Sequence, residues 1–221
     1  MTLLLSAFGG SGSPVQATAP ASASRLLPAG PPIPEIVARL GTLHLQLPIS
    51  QSRVTAVGYQ GGTDGALALS PLGTQVNQGL LKRVVHKIFG SASGHPRWYQ
   101  LPGGVGPATS AIDVGAAPGT DVYSPVTGTV VGITDFVLAN RTYGARIDIR
   151  PQSAPSVVVS LTHLRPDPSL TVGSAVAKGV SKIGVVVDLT GVERQALARY
   201  TQDAGNNVSL SVRPAAVLSV R

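Results

Sequence analysis

Alternation of apolar and polar residues is the main pattern in this chain, and it predicts strands more often than helices. Residues 43–47, Leu-His-Leu-Gln-Leu, alternate as a half-buried strand does, and residues 53–59 are expected to pair with them after a turn over Pro48 to Ser52. From Ala108 onward, short Val-rich segments recur between Gly and Pro residues, so each segment reads as a strand and each Gly or Pro as a turn or bulge. Two stretches break this pattern. Residues 77–89 place Leu80, Leu81, Val84, Val85 and Ile88 on one helical face and Lys82, Arg83, His86 and Lys87 elsewhere, with Gly90 as a stop. Residues 190–200 open with Thr190 and Glu193 in capping-box spacing, which predicts a short helix inserted between strands.

Composition agrees with a mostly β fold. The 26 Gly and 18 Pro leave little room for long helices. The expected architecture is an antiparallel barrel or sandwich with a few short helices. Residues 1–34 read as a tail and linker: an apolar run at 1–8 with no positive charge before Arg25, which resembles a shortened export signal, then a stretch rich in Ala, Pro and Ser. Residues 35–107 are expected to form a small α+β region, and residues 108–221 the main domain with its helical insertion near 190–200. Residues 91–106 read as a loop carrying Trp98 beside Tyr99, a pair suited to closing a core or stacking on a sugar.

The net charge of +7 favours anionic partners such as cell-wall polymers, lipid headgroups or nucleic acid, although a moderate basic excess often serves only to keep a protein in solution. Nucleic acid is a poor candidate, because the basic residues are scattered rather than clustered with aromatics. No apolar stretch approaches the ~20 residues of a membrane-spanning helix. The chain has no Cys, so any metal site must use His and carboxylates.

The order of motifs in the second half resembles a known family. Ala111, Ile112, Asp113, Val114 and Gly115 are followed by Pro118, Gly119 and Thr120, then Ser124 and Pro125, then Gly128 to Val131. Tyr143 and Gly144 lead into a strand, a Val-rich strand ends on Thr162, His163 and Leu164, and Lys178, Gly179, Ile183 and Gly184 come later. Over roughly residues 108–212 this is similar to the catalytic domain of the lysostaphin/LytM zinc endopeptidases. The resemblance implies the family's duplicated β fold, a cell-envelope or secreted location, and peptidoglycan or another wall polymer, or a wall hydrolase, as partner.

In that family a His, an Asp four residues later, and the second His of a His-x-His pair hold zinc. Carried onto this chain, Asp113 keeps the Asp position and His163 keeps the separate active-site His. Thr109 stands at the first zinc His, and Asn207 and Ser209 stand where the His-x-His pair belongs. Tyr143 and Asn207 are the expected ligand-contacting positions. Hydroxyls are poor zinc ligands, and a catalytic site needs three strong ones.

The resemblance therefore predicts a peptidase-like domain without zinc or other cofactor, acting by binding or regulation. The alternative is an active endopeptidase with a rearranged zinc site, drawing on Asp113 and His163 together with His95 or Asp188. No His follows His163. A Ser209, His163 and Asp113 hydrolase lacks a nucleophile-elbow sequence. A lipoyl-type carrier lacks its hairpin Lys, since Lys178 and Lys182 lie outside any such turn.

Overall fold

The computed structural model describes residues 30–77 and 96–215. Its strands, in chain order, are β1 (Ile36–Leu40), β2 (Leu43–Gln46), β3 (Val57–Gln60), β4 (Ser70–Pro71), β5 (Thr74–Gln75), β6 (Arg97–Gln100) and β7 (Ala111–Gly115). The second half adds β8 (Asp121–Tyr123), β9 (Gly128–Leu138), β10 (Arg141–Pro151), β11 (Val157–Pro166), β12 (Ala175–Val176), β13 (Lys182–Val186) and β14 (Asn207–Pro214).

The fold is mostly β, as the alternation implies, but the sheets do not close into a barrel. A small sheet runs β2-β1-β4. The large one runs β12-β9-β10-β11-β14-β7-β3-β6-β5, with β13 bridging β11 and β8. Pairings are antiparallel except β3 with β6 and β5 with β6. The β9–β10 hairpin turns at Ala139 and Asn140, both at positive φ (47° and 61°), which is the turn geometry that matches strand twist.

Period-two alternation divides the large sheet into two chemically different faces. On one face lie Ile147, Ile149, Val159, Leu161, Val208, Leu210, Val212, Ile112 and Val114, all fully buried. They share a single core with Val37, Leu43, Leu45, Leu47 and Ile49 from the small sheet and its flank. Each such aliphatic side chain contributes roughly 1.5–3 kcal/mol by leaving water. The other face carries Asp148, Ser160, Thr162, Ser209, Ser211 and Asp113, and it is here that the groove described below forms.

Three expectations are corrected. Residues 53–59 do not pair with 43–47: β2 pairs with β1 upstream, residues Gln51–Arg53 form a 3-10 turn, and β3 joins the large sheet beside β7. Val57 and Tyr59 are buried, and β7 offers a long-range partner that a local hairpin would forfeit.

Residues 91–106 are not all loop, because β6 runs through Arg97–Gln100. Trp98 there is buried and meets Tyr59 edge-on at 4.9 Å, so it closes the core. Tyr99 instead stacks on Tyr200 at 4.3 Å.

The helix expected at 190–200 is reduced to a 3-10 turn at Ala196–Arg199. Asp188 Oδ1 accepts both the Thr190 backbone N–H and its hydroxyl, so Thr190 caps no helix. Gln195 then turns extended (φ −70°, ψ 134°). Of the helix expected at 77–89, residues 78–89 lie outside the described residues.

Candidate functional site

Five neighbouring strands, β10, β11, β14, β7 and β3, present their polar faces side by side. Their register is continuous: Asp148 lies opposite Ser160, Ser160 opposite Ser211, Ser211 opposite Ala111, and Ala111 opposite Gln60. One rung along, Thr162 lies opposite Ser209, and Ser209 opposite Asp113. Apart from Asp148, which lies beneath Arg146 and Arg213, these side chains are the floor of a groove of about 610 Å³.

One wall is the β9 edge with Phe136 and Leu138, and the other is built from residues 61–63 and 102–105. That second wall depends on glycine. Gly104 has φ +71°, and a Cβ on it would fall 1.7 Å from the Gly61 carbonyl oxygen. Gly61 in turn donates its N–H to the Gly103 carbonyl at 3.2 Å. The segment Glu193 to Ala196 closes the end of the groove near His163.

Asp113 is 3% exposed at the centre of the floor. Its Oδ1 accepts a hydrogen bond from Ser209 Oγ at 2.6 Å, and its Oδ2 accepts one from Gln60 Nε2 at 2.5 Å. Burial drives its pKa above the usual carboxylate range, and this outweighs the opposing pull of the Ser209 hydroxyl, His163 and Gln60.

His163 takes a left-handed backbone conformation, φ 65°, at the end of the hydrogen-bonded run of β11 with β14. Its Nδ1 lies 3.0 Å from Asn207 Oδ1. Asn207 Nδ2 donates to Gln195 Oε1 at 2.9 Å and to the Gly205 carbonyl at 3.0 Å, which orients the amide and leaves Oδ1 as its acceptor. Nδ1 of His163 is therefore the protonated nitrogen, and Nε2 is the free one. Phe136 flanks the ring edge-on at 5.0 Å.

The structure thus brings Asp113, Ser209 and His163 to one groove, with Asn207 buried behind His163 as its hydrogen-bond partner. It does not bring Thr109 into the same net: Thr109 Oγ1 donates to the Leu69 carbonyl at 2.7 Å, and the residue is absent from the groove lining. Tyr143 is likewise outside the lining, with the Arg141 guanidinium 6.0 Å above its ring.

A catalytic zinc ion requires three strong ligands around one point. Here the Asp113 carboxylate already accepts from Ser209 and Gln60; His163 and Glu193 line the same groove, but the Nδ1 of His163 is taken by Asn207. Among the described residues, no three His, Asp or Glu side chains converge. The described residues do not fit a catalytic zinc ion; His95, named for a rearranged site, lies outside them. Nor does His163 engage Ser209, since its Nδ1 goes to Asn207 and the Ser209 proton goes to Asp113.

Gln60, Gln195, Arg146, Asp148 and Arg213 are parts of this site that sequence reasoning missed. Arg146 and Asp148, two apart on a strand, carried a spacing signal. Gln60 carried none, since it reaches Asp113 from 53 positions away.

No family model and no curated protein matches the chain. Among solved structures it is similar to lysostaphin, at 14% identity over 50% of this chain and 38% of that one, with a TM-score of 0.36. It is also similar to pseudoalterin, an M23 metalloprotease from the deep sea, at 15% identity over 78% of this chain and 72% of that one, with a TM-score of 0.38. The match to lysostaphin spans less than half of that protein's length.

Proposed function

We propose that this is a non-hydrolytic, peptidase-like domain of the cell envelope whose groove holds a peptide strand of peptidoglycan. The observation that carries the reading is the state of Asp113. The only retained zinc-ligand position is locked to Ser209 and Gln60 on the floor of an open groove, so the groove is organised to hold a ligand and lacks the means to activate water. The net charge of +7 suits an anionic wall polymer. Among the described residues no helix is long and apolar enough to cross a membrane. Regulation of a wall hydrolase would use the same groove with a protein segment in it.

Two measurements on the purified protein test this. Zinc content after dialysis against trace zinc is expected below about a tenth of an equivalent. Co-sedimentation with purified peptidoglycan at moderate salt is expected for the wild type and lost in Ser211→Trp, which fills the floor between Ser160 and Ala111. Wild-type protein left in the supernatant sinks the wall-binding reading. Near one equivalent of zinc together with peptide cleavage restores an active endopeptidase with a rearranged site.

A further inference from the structure

Arg146, Asp148 and Arg213 meet at the groove, toward the Arg213 end of β14. Asp148 Oδ1 accepts Arg146 Nε at 2.8 Å and Ser160 Oγ at 2.7 Å. Its Oδ2 accepts Arg146 Nη2 at 3.0 Å and Arg213 Nη2 at 2.8 Å. Two guanidinium groups thus share one carboxylate, and guanidinium does not lose its proton in proteins. One positive charge is left over. Arg146 and Arg213 line the groove with side chains 32% and 37% exposed. Arg146 Nη1, and Nε and Nη1 of Arg213, have no acceptor among the described residues.

The rest of the floor has the opposite bias. Ser209 and Ser160 donate their protons to Asp113 and Asp148, so toward the groove both oxygens present lone pairs. Ser209 and Ser211 are two apart on β14, a spacing of about 6.6 Å. That is also the spacing of successive N–H groups on one edge of an extended peptide. The groove therefore places two hydroxyls at a peptide's own repeat, with the Ser209 oxygen left to accept, and unpaired guanidinium donors with a surplus positive charge at one end.

We propose that Arg146 and Arg213 form a carboxylate subsite, which takes the free carboxylate of an extended peptide laid along β14. This deepens the peptide-binding reading above and rests on it. The planar fork of arginine matches a carboxylate, and a single negative charge balances the surplus. Asp148 holds the two guanidiniums in place and also competes with the ligand for them.

The test uses soluble peptide fragments released from purified peptidoglycan, either native or with their carboxylates converted to amides. Binding is measured by calorimetry to the full chain. Native fragments are expected to bind, and amidated ones to bind about tenfold more weakly, as for loss of a charge-assisted pair. The Arg146→Gln/Arg213→Gln variant is expected to lose the same factor for native fragments and nothing for amidated ones. Asp148→Asn removes the competitor and is expected to bind native fragments several-fold more tightly, an effect that a purely structural cluster would not produce.

Equal binding of native and amidated fragments overturns the subsite and leaves the groove's function standing. No binding of either by the wild type overturns both. Displacement by inorganic phosphate at equal concentration makes this a general oxyanion site and overturns the carboxylate assignment. If the double arginine variant does not fold, the amidated fragments and Asp148→Asn still decide.

Discussion

Ser209 Oγ lies 2.6 Å from Asp113 Oδ1 across the β14–β7 pair, and the two are direct register partners. A nearly buried carboxyl group depends on such donors, because a buried acceptor without one costs the full loss of hydration. Ser209→Ala is expected to destabilise the fold by roughly 1–3 kcal/mol. Chemical denaturation measures this, and a cost near zero would show that Gln60 alone satisfies the group.

The raised pKa of Asp113 has a signed consequence for stability. Its folded value exceeds its unfolded value, so the protonated form is favoured by folding. The stability it contributes is fully present below the unfolded value of about 3.9 and is lost as pH rises through the folded one. The wild type is therefore expected to lose stability relative to Asp113→Asn as pH rises from about 4 through that value. Thermal melts of both proteins across the range measure it, and parallel curves would mean that Asp113 titrates as it does in the unfolded chain.

His163 is held at φ 65°, a conformation that costs a residue with a Cβ roughly 1–2 kcal/mol. Its hydrogen bond to Asn207 offsets part of this. In an Asn207→Ala background, where that bond is absent, His163→Gly is expected to stabilise the protein by about 1 kcal/mol. In the native background the gain is expected to shrink. Equal gains in both backgrounds would show that the bond contributes nothing, and a double-mutant cycle gives the answer directly.

The positional assignments can be tested by construction. Thr109→His, Asn207→His and Ser209→His together are expected to create a zinc site with Asp113, read as about one equivalent of bound metal. Thr109 now turns to the Leu69 carbonyl, so a histidine there must give up that contact and swing toward Asp113. The variant without the Thr109 change is expected to bind zinc more weakly. If the triple variant binds none, Thr109 is not the position of the missing ligand.

Much of the site was legible before the fold was known, and the failures have identifiable causes. Asp113, His163 and Ser209, picked out by motif order, line one groove, while Asn207 lies buried beside it as the hydrogen-bond partner of His163. The capping-box spacing at Thr190 and Glu193 misled, because Asp188 and Gln195 have other partners: Asp188 binds Thr190 locally, and Gln195 reaches across to Asn207. Local helix propensity is worth tenths of a kcal/mol per residue, less than one buried hydrogen bond. Arg146, Asp148 and Arg213 were each visible as charges on strands, yet their meeting requires β10 and β14 to flank β11.

By itself the sequence determined which residues face the core and which face the groove, because alternation on a strand is a local consequence of backbone geometry. It also determined that no His follows His163, so the positions read as the His-x-His pair carry Asn207 and Ser209 instead. Only the tertiary structure decided which polar residues become neighbours. Gln60 reaches Asp113 because β3 pairs with β7, and Arg213 reaches Asp148 across β11. Strand order and register are set by burial of the whole apolar face, which no single segment of the chain encodes.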